Sequence, residues 1–285
     1  MDGPVRIWFQ SATEIDPAGP YATALRRHAA KVLQPGTTME VRGVPPGSWA
    51  GQQPSALFGF PAVFLAVLAP AFLANAVRAE REGYDAFVVG TFIEPFLREL
   101  RSAVGIPVVS SLEATLLVGC TAAQQIGLVT INEALRCSLQ TSIERHRLGA
   151  RVAMVAALEP ALDEAAAVAA LAAPAELGAA FRRTARRVVA AGADAVIPAE
   201  SILATLVTEA GLHEVDGAAV LDAIAIPAAL AEMLVVLQRR AGFRTGRRWH
   251  TPSPPPDVID LFIGRLSPTG PPIKAVAPIR EGGPA

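Results

Sequence analysis

The stretch Ala86-Phe-Val-Val-Gly-Thr-Phe-Ile-Glu-Pro-Phe-Leu-Arg-Glu-Leu100 decides how the chain folds. Phe87, Val88 and Val89 form an apolar run too short for a helix and suited to a parallel strand covered on both faces. Gly90 and Thr91 break the run. From Glu94 onward Phe96, Leu97 and Leu100 fall at helical spacing, with Glu94 and Pro95 in an expected first turn, where an acid and a proline are tolerated. Open α/β sheets bind ligands where a strand's carboxyl end meets a helix amino end. Residues 90–94 are therefore predicted to form the floor of an active site.

Strands and helices alternate on either side of this stretch. Residues 5–10 read as a first strand ending in the polar segment Gln10-Ser-Ala-Thr, and residues 21–33 as an amphipathic helix with Arg26, Arg27 and Lys31 outward. Pro35-Gly36 turns the chain into a β-branched strand over 38–44, and a Pro/Gly-rich loop follows to residue 54. Residues 106–111 are a further strand leading into a helix over 112–125, capped by Ser110 or Ser111. The pattern then restarts with strands at 126–131, 150–158, 195–198 and 218–221. Helices are expected at 133–147, in an alanine-rich stretch up to 192, at 201–210 and at 227–240. Such alternation predicts an α/β protein of two pseudosymmetric parallel-sheet halves joined by right-handed crossovers, with the active-site cleft between them. Residues 1–115 with 222–250 are assigned to the first half and 116–221 to the second. Residues 251–285 are read as a Pro-rich extended arm anchored through Val258, Ile259, Leu261 and Phe262.

Composition narrows the function. A chain of 285 residues buries a large core, and a net charge of -1 offers no electrostatic footprint for nucleic acid. A small-molecule substrate is the expected partner. The amino terminus shows no signal-peptide pattern, and the cysteines Cys120 and Cys137 lack Cys-x-x-Cys spacing, so neither zinc nor a disulfide scaffold is indicated and a reducing cytoplasm is expected. From Gly43 to Val77 there is no charged residue, and 57–77 is nearly as long as the ~20 apolar residues of a membrane span. Gly59, Pro61, Pro70 and Asn75 interrupt it and no Lys/Arg cluster flanks it, which favours a buried or interface helix. Its apolarity suits a subunit contact in a homo-oligomer, or the wall of an oily pocket. The arginines 182, 183, 186 and 187 read as a solvated helix face.

Several segments carry a more specific signal: Pro35-Gly-Thr, Gly83-Tyr-Asp-Ala-Phe-Val-Val-Gly-Thr-Phe-Ile-Glu-Pro, Ile106-Pro-Val-Val with Glu113-Ala, Gly127-Leu-Val-Thr, and Ala191-Gly-Ala-Asp-Ala-Val-Ile-Pro-Ala. In this order, over residues 5–240, they resemble the aspartate/glutamate/hydantoin racemase superfamily, with the hydantoin racemase branch nearest in pattern. The resemblance implies a cofactor-independent enzyme that uses one thiol from each half. Both thiols are missing. Thr91 stands at the first position, and Pro198-Ala199-Glu200 at the second. Cys120 and Cys137 match neither and read as core residues.

What the resemblance retains is a binding apparatus at strand ends, for which Gln10, Ser11, Thr91, Phe92, Glu94, Thr130, Ile131, Asn132 and Ala199 are the expected lining residues. There, amides and hydroxyls hold a carboxylate or imide, and helix amino termini favour the anion formed on deprotonation. Thr130 and Asn132 read equally well as helix caps. For proton transfer Glu200 is the first candidate, at a strand end in an apolar segment where desolvation raises a carboxyl pKa, with Thr91 assisting. An acid opening a helix and complementing its dipole accounts for Glu200 nearly as well, and for Glu94 it is the preferred reading. His28, His146, His213 and His250 form no relay and read as surface residues. The expected function is a cofactor-independent isomerase acting through a carbanion or enolate. Alternatives are a lyase, decarboxylase or cyclase using the same cleft, or a silent small-molecule binder.

Overall fold

The structure is a computed structural model that describes residues 3–266. Strands β1 (Arg6–Glu14), β2 (Thr38–Val44), β3 (Ala86–Val89) and β4 (Val108–Ser110) form a parallel sheet in the order β2-β1-β3-β4. A second sheet contains β5 (Ile126–Thr130), β6 (Val152–Ala157), β7 (Ala195–Pro198), β8 (Glu214–Val215) and β9 (Ala218–Val220), in the order β6-β5-β7-β9-β8. It is parallel except at the β8–β9 edge. Helices α1 (Pro20–Val32), α2 (Pro54–Leu57), α3 (Pro61–Arg81), α4 (Leu97–Ala103) and α5 (Ser111–Gly119) connect the first sheet. Helices α6 (Glu133–Arg145), α7 (Glu164–Ala169), α8 (Pro174–Ala190) and α9 (Ser201–Glu209) belong to the second. Helix α10 (Ala225–Ala241) returns to pack on α1, α5, β3 and β4, and α11 (Pro256–Leu266) packs on α3.

The strand at the centre of the sequence argument is covered on both faces, as its unbroken apolar run requires. Ala86 and Val88 join the core that contains Leu25, Leu112 and Ala228, whereas Phe87 and Val89 face Trp8, Phe72 and Leu100. Gly90 ends the strand because the buried Phe9 ring occupies the space beside it, so that a Cβ there would stand 2.2 Å from the ring. Gly90→Ala is expected to destabilise the protein by about 1–3 kcal/mol through overpacking. The denaturant midpoint of that variant measures the loss, and an unchanged midpoint would show that Phe9 moves freely.

Four sequence expectations change. Glu94 does not open a helix: it lies at φ 48°, and α4 starts only at Leu97. Its carboxylate is drawn instead to the amino end of α5, where it accepts from Ser110 Oγ and, at 2.8 Å, from the Glu113 N–H. The alanine-rich stretch divides into α7 and α8, with Asp163 capping α7 through the Ala166 N–H at 2.7 Å. The arm is not extended throughout, since 256–266 is helical, with Ile259 packed on the core and Asp260 ion-paired with Arg81. The remainder of the arm, 267–285, lies outside the described residues. Finally, Cys137 is exposed rather than a core residue, whereas Cys120, half-buried at the end of α5, packs against the core.

The apolar stretch becomes α3, a helix long and apolar enough by length and composition to cross a membrane, with a mean hydropathy of 1.8 over its best window. From Leu68 onward it carries Leu68, Phe72, Ala76 and Val77 into the core, while Val63 and Leu65 near its start are exposed.

Candidate active site

Three strand ends meet between the two sheets. β1 delivers Ser11 and Thr13, β3 runs out into Gly90, Thr91 and Phe92, and β7 runs out into Ala199, Glu200 and Ser201. The halves are joined here by Ser201 Oγ, which donates to the Gly90 carbonyl at 2.8 Å. These residues wall an inner chamber of about 30 Å³, little more than a water needs. Thr13, Tyr21, Glu164 and Ile202 also line an outer cavity of about 810 Å³, which continues past Trp49, Gln52 and Val168. That volume suits a small organic molecule.

Glu200 caps α9, its carboxylate accepting from the Leu203 N–H at 2.8 Å, so the capping role that the sequence allowed is real. The same carboxylate belongs to the chamber wall. Burial pushes it up to about 7, opposed by the amides of α9 and reinforced by the charge of Glu164. Glu164 opens α7 and is itself raised by burial, against the hydrogen bond from Ser55 Oγ at 2.5 Å. Burial, followed by the Glu200 charge, holds the Tyr21 hydroxyl well above the usual phenol range, against the opposing effect of the Ser201 and Ser11 hydroxyls. It therefore stays protonated at neutral pH, as a donor. Among the described residues, Glu14, Asp16, Glu164 and Glu200 line the two cavities, and no Lys, Arg or His does.

Ser11, Thr91, Phe92, Ala199 and Glu200 thus share one chamber. The other expected lining residues lie elsewhere. Gln10 is turned to the opposite face of β1, where its Oε1 accepts from Trp8 Nε1 at 3.0 Å and from Asn75 Nδ2 at 2.9 Å. Asn132 caps α6 through the Leu135 N–H at 3.0 Å, Ile131 is core, and Thr130 is buried with its Oγ1 unpartnered; none of the three walls the chamber.

Glu94 sits outside both cavities in a buried cluster that ties the halves together. His146 Nε2 meets Glu94 Oε2, Glu113 lies 3.6 Å from His146 Nδ1, and Arg101 pairs with Glu113. Beside them Ser142 Oγ donates to the Ile93 carbonyl at 3.1 Å. His146 is therefore not a surface residue. Neither is His28, which is 7% exposed and bonded to Asp222 at 2.6 Å.

Glu164 and Tyr21 are the site residues that sequence reasoning passed over. A signal existed for each. Both open a helix that directly follows a strand, and in a parallel α/β sheet that point lies at the ligand-binding edge.

The architecture defines an α/β protein of two similar halves, with a deep, acid-lined site where their strand ends converge. Residues 60–231 match the Asp/Glu/hydantoin racemase family, and the chain belongs to that family. It is accordingly an enzyme of the isomerase class. No curated protein sequence matches the chain. Among solved structures, allantoin racemase from Klebsiella pneumoniae superposes with TM-score 0.71 at 19% identity, over 88% of this chain and 94% of that one. Allantoin racemase from Pseudomonas fluorescens gives TM-score 0.66 at 19% identity, over 88% and 98%. Maleate isomerase from Pseudomonas putida S16 gives 0.52 at 16%, over 82% and 91%. At these identities the likeness is one of fold.

Proposed function

We propose that the protein is a cofactor-independent isomerase that removes and returns a proton on the carbon next to a carbonyl of a small molecule, with Glu200 as the base in place of a thiol. One observation carries this reading. A carboxylate raised to about 7 stands in the same chamber as Thr91, so it is poised to exchange protons near neutral pH. Thr91 and Ser11 supply hydroxyls, and Tyr21 a protonated phenol, for the charge that moves onto the substrate's oxygen. Between a carboxylate and an imide substrate, a site lined, among the described residues, by four carboxylates and no cation favours the uncharged imide.

The reading is tested by polarimetry on the metal-chelated, dialysed protein, offered optically pure 5-substituted hydantoins and other cyclic imides beside aspartate and glutamate. Loss of rotation with the imides alone is expected. Turnover of the dicarboxylates alone, or a product of altered mass, would contradict it, and saturable binding without turnover would reveal a silent binder.

The thiols supply a second check. Cys137 is exposed, so iodoacetamide should modify it while activity persists, and the Cys120→Ser, Cys137→Ser double variant should retain turnover within a few-fold. Complete inactivation of a folded double variant would return a cysteine to the mechanism.

A further inference from the structure

The second carboxylate of the site has no role in the reading above. Glu164 reaches the chamber from α7, a different element from the β7 end that carries Glu200, and its residue is only 6% exposed. Its neighbour across the halves is the neutral Ser55 hydroxyl of α2, at 2.5 Å. Such an arrangement contrasts with Glu94, whose buried carboxylate faces His146. The groups around the pair are the Tyr21 phenol of α1, Asp163 beside Glu164, and Glu14 and Asp16 on the outer wall, all neutral or acidic.

We propose that Glu164 is a second proton-carrying residue of this site, and that it shares a single proton with Glu200 during the reaction. Two carboxylates bordering one small, poorly solvated chamber repel each other when both are ionised, and among the described residues no cation there offsets the repulsion. The pair therefore titrates as a unit, its two carboxyls losing their protons in coupled steps.

This inference rests on Glu200 being the base, and the proton count follows from it. The Glu200 carboxylate takes the proton from carbon, and the C–H electron pair moves into the enolate. Glu164, in the tautomer of the pair that holds the shared proton there rather than on Glu200, gives that proton to the carbon, and the enolate pair re-forms a C–H bond. Glu200 is then protonated and Glu164 ionised. Transfer of one proton from Glu200 to Glu164 restores the starting state with nothing oxidised or reduced. Inversion needs a proton to leave to one group and return from another, and carboxylates on two elements meet that need.

The test combines a titration with two rates. Protein labelled with ¹³C at the glutamate carboxyls is followed by NMR from pH 4 to 9 in wild type, Glu164→Gln and Glu200→Gln, the latter two assigning the resonances. Wild type should show the two carboxyls titrating in coupled steps. In Glu164→Gln the Glu200 midpoint should fall by about one unit or more, as expected when a neighbouring charge is removed. With a 5-substituted hydantoin in D₂O, that variant should still wash deuterium into the α carbon but invert it on the order of 10²-fold more slowly.

An unmoved Glu200 midpoint with an unchanged ratio of inversion to exchange would overturn the proposal and reduce Glu164 to a helix-opening acid. Failure of the underlying reading is a separate result: undiminished exchange in Glu200→Gln. If Glu164→Gln does not fold, Ser55→Ala leaves both carboxylates in place. Loss of its hydroxyl donor should raise the pH at which Glu164 ionises, and an unchanged titration there would equally count against the shared proton.

Discussion

Glu200→Gln lowers kcat by about 10²–10⁴-fold while leaving affinity for a bound imide within a few-fold, because general acid–base help is worth that much and the amide keeps the carboxylate's shape. The substitution retains an acceptor for the Leu203 N–H, so α9 keeps its cap. It removes the carboxylate that, on the β7 side of the chamber, accepts a proton near neutral pH. Wild-type kcat/KM should change with pH through about 7, where the Glu200 carboxyl ionises, and the variant's residual rate should lack that dependence.

Stability should move the opposite way. A carboxyl raised in the folded state binds its proton more tightly than in the unfolded chain, so its contribution is intact below the ordinary glutamate range and is lost as pH rises through about 7. Glu200→Gln should therefore melt higher than wild type at pH 8 and close to it at pH 4.5. A lower Tm at pH 8 would assign the residue a purely structural role.

His146→Ala is expected to cost about 3–5 kcal/mol of stability, the usual penalty for stripping one partner from a buried ion pair. The Glu94 side chain is 1% exposed, and with the imidazole gone its charge is left to Ser110 Oγ and the Glu113 N–H. The loss falls on the joint between the halves, since Glu94 follows β3 and His146 ends α6. Burial pulls the imidazole down, but the Glu94 hydrogen bond and charge, with Glu113, outweigh it, so His146 lies above its ordinary value. The charged pair therefore contributes fully below the ordinary histidine pKa of about 6.5 and fades as pH rises through the raised one. Urea midpoints of wild type and His146→Ala should differ most near pH 6 and converge toward pH 9. A constant difference would mean that packing, not the ion pair, holds the joint.

Those two residues also mark where sequence reading succeeds and where it stops. The four apolar residues of β3, the glycine that ends it, and the caps Ser110, Asn132 and Glu200 are legible because each is a local matter of period, sterics or a side chain reaching its own helix. Placing Thr91 and Glu200 at strand ends on one cleft follows from the alternation of strands and helices together with the family resemblance. Glu94 is misplaced from the sequence because its conformation is set by His146, fifty-two positions away, and no local pattern encodes that pairing. His28 is misjudged for the same reason, its partner Asp222 lying in another element. Gln10 shows a subtler failure. It stands at the right strand end, yet period-2 alternation with Trp8 sends its side chain to the wrong face. Glu164 was hidden in an alanine-rich stretch read as one helix, whereas its break into α7 and α8 puts a helix start, and an acid, at the site.

The central claim is that a carboxylate, not a thiol, takes the proton from carbon. It is tested most directly by ¹H NMR in D₂O, following loss of the α-proton signal from a 5-substituted hydantoin. Exchange is predicted with wild type and with Cys120→Ser, Cys137→Ser, and at a rate at least 10²-fold lower, on the order of an acid–base contribution, with Glu200→Gln. Exchange that persists undiminished in Glu200→Gln, or that vanishes in the folded cysteine variant, would contradict it.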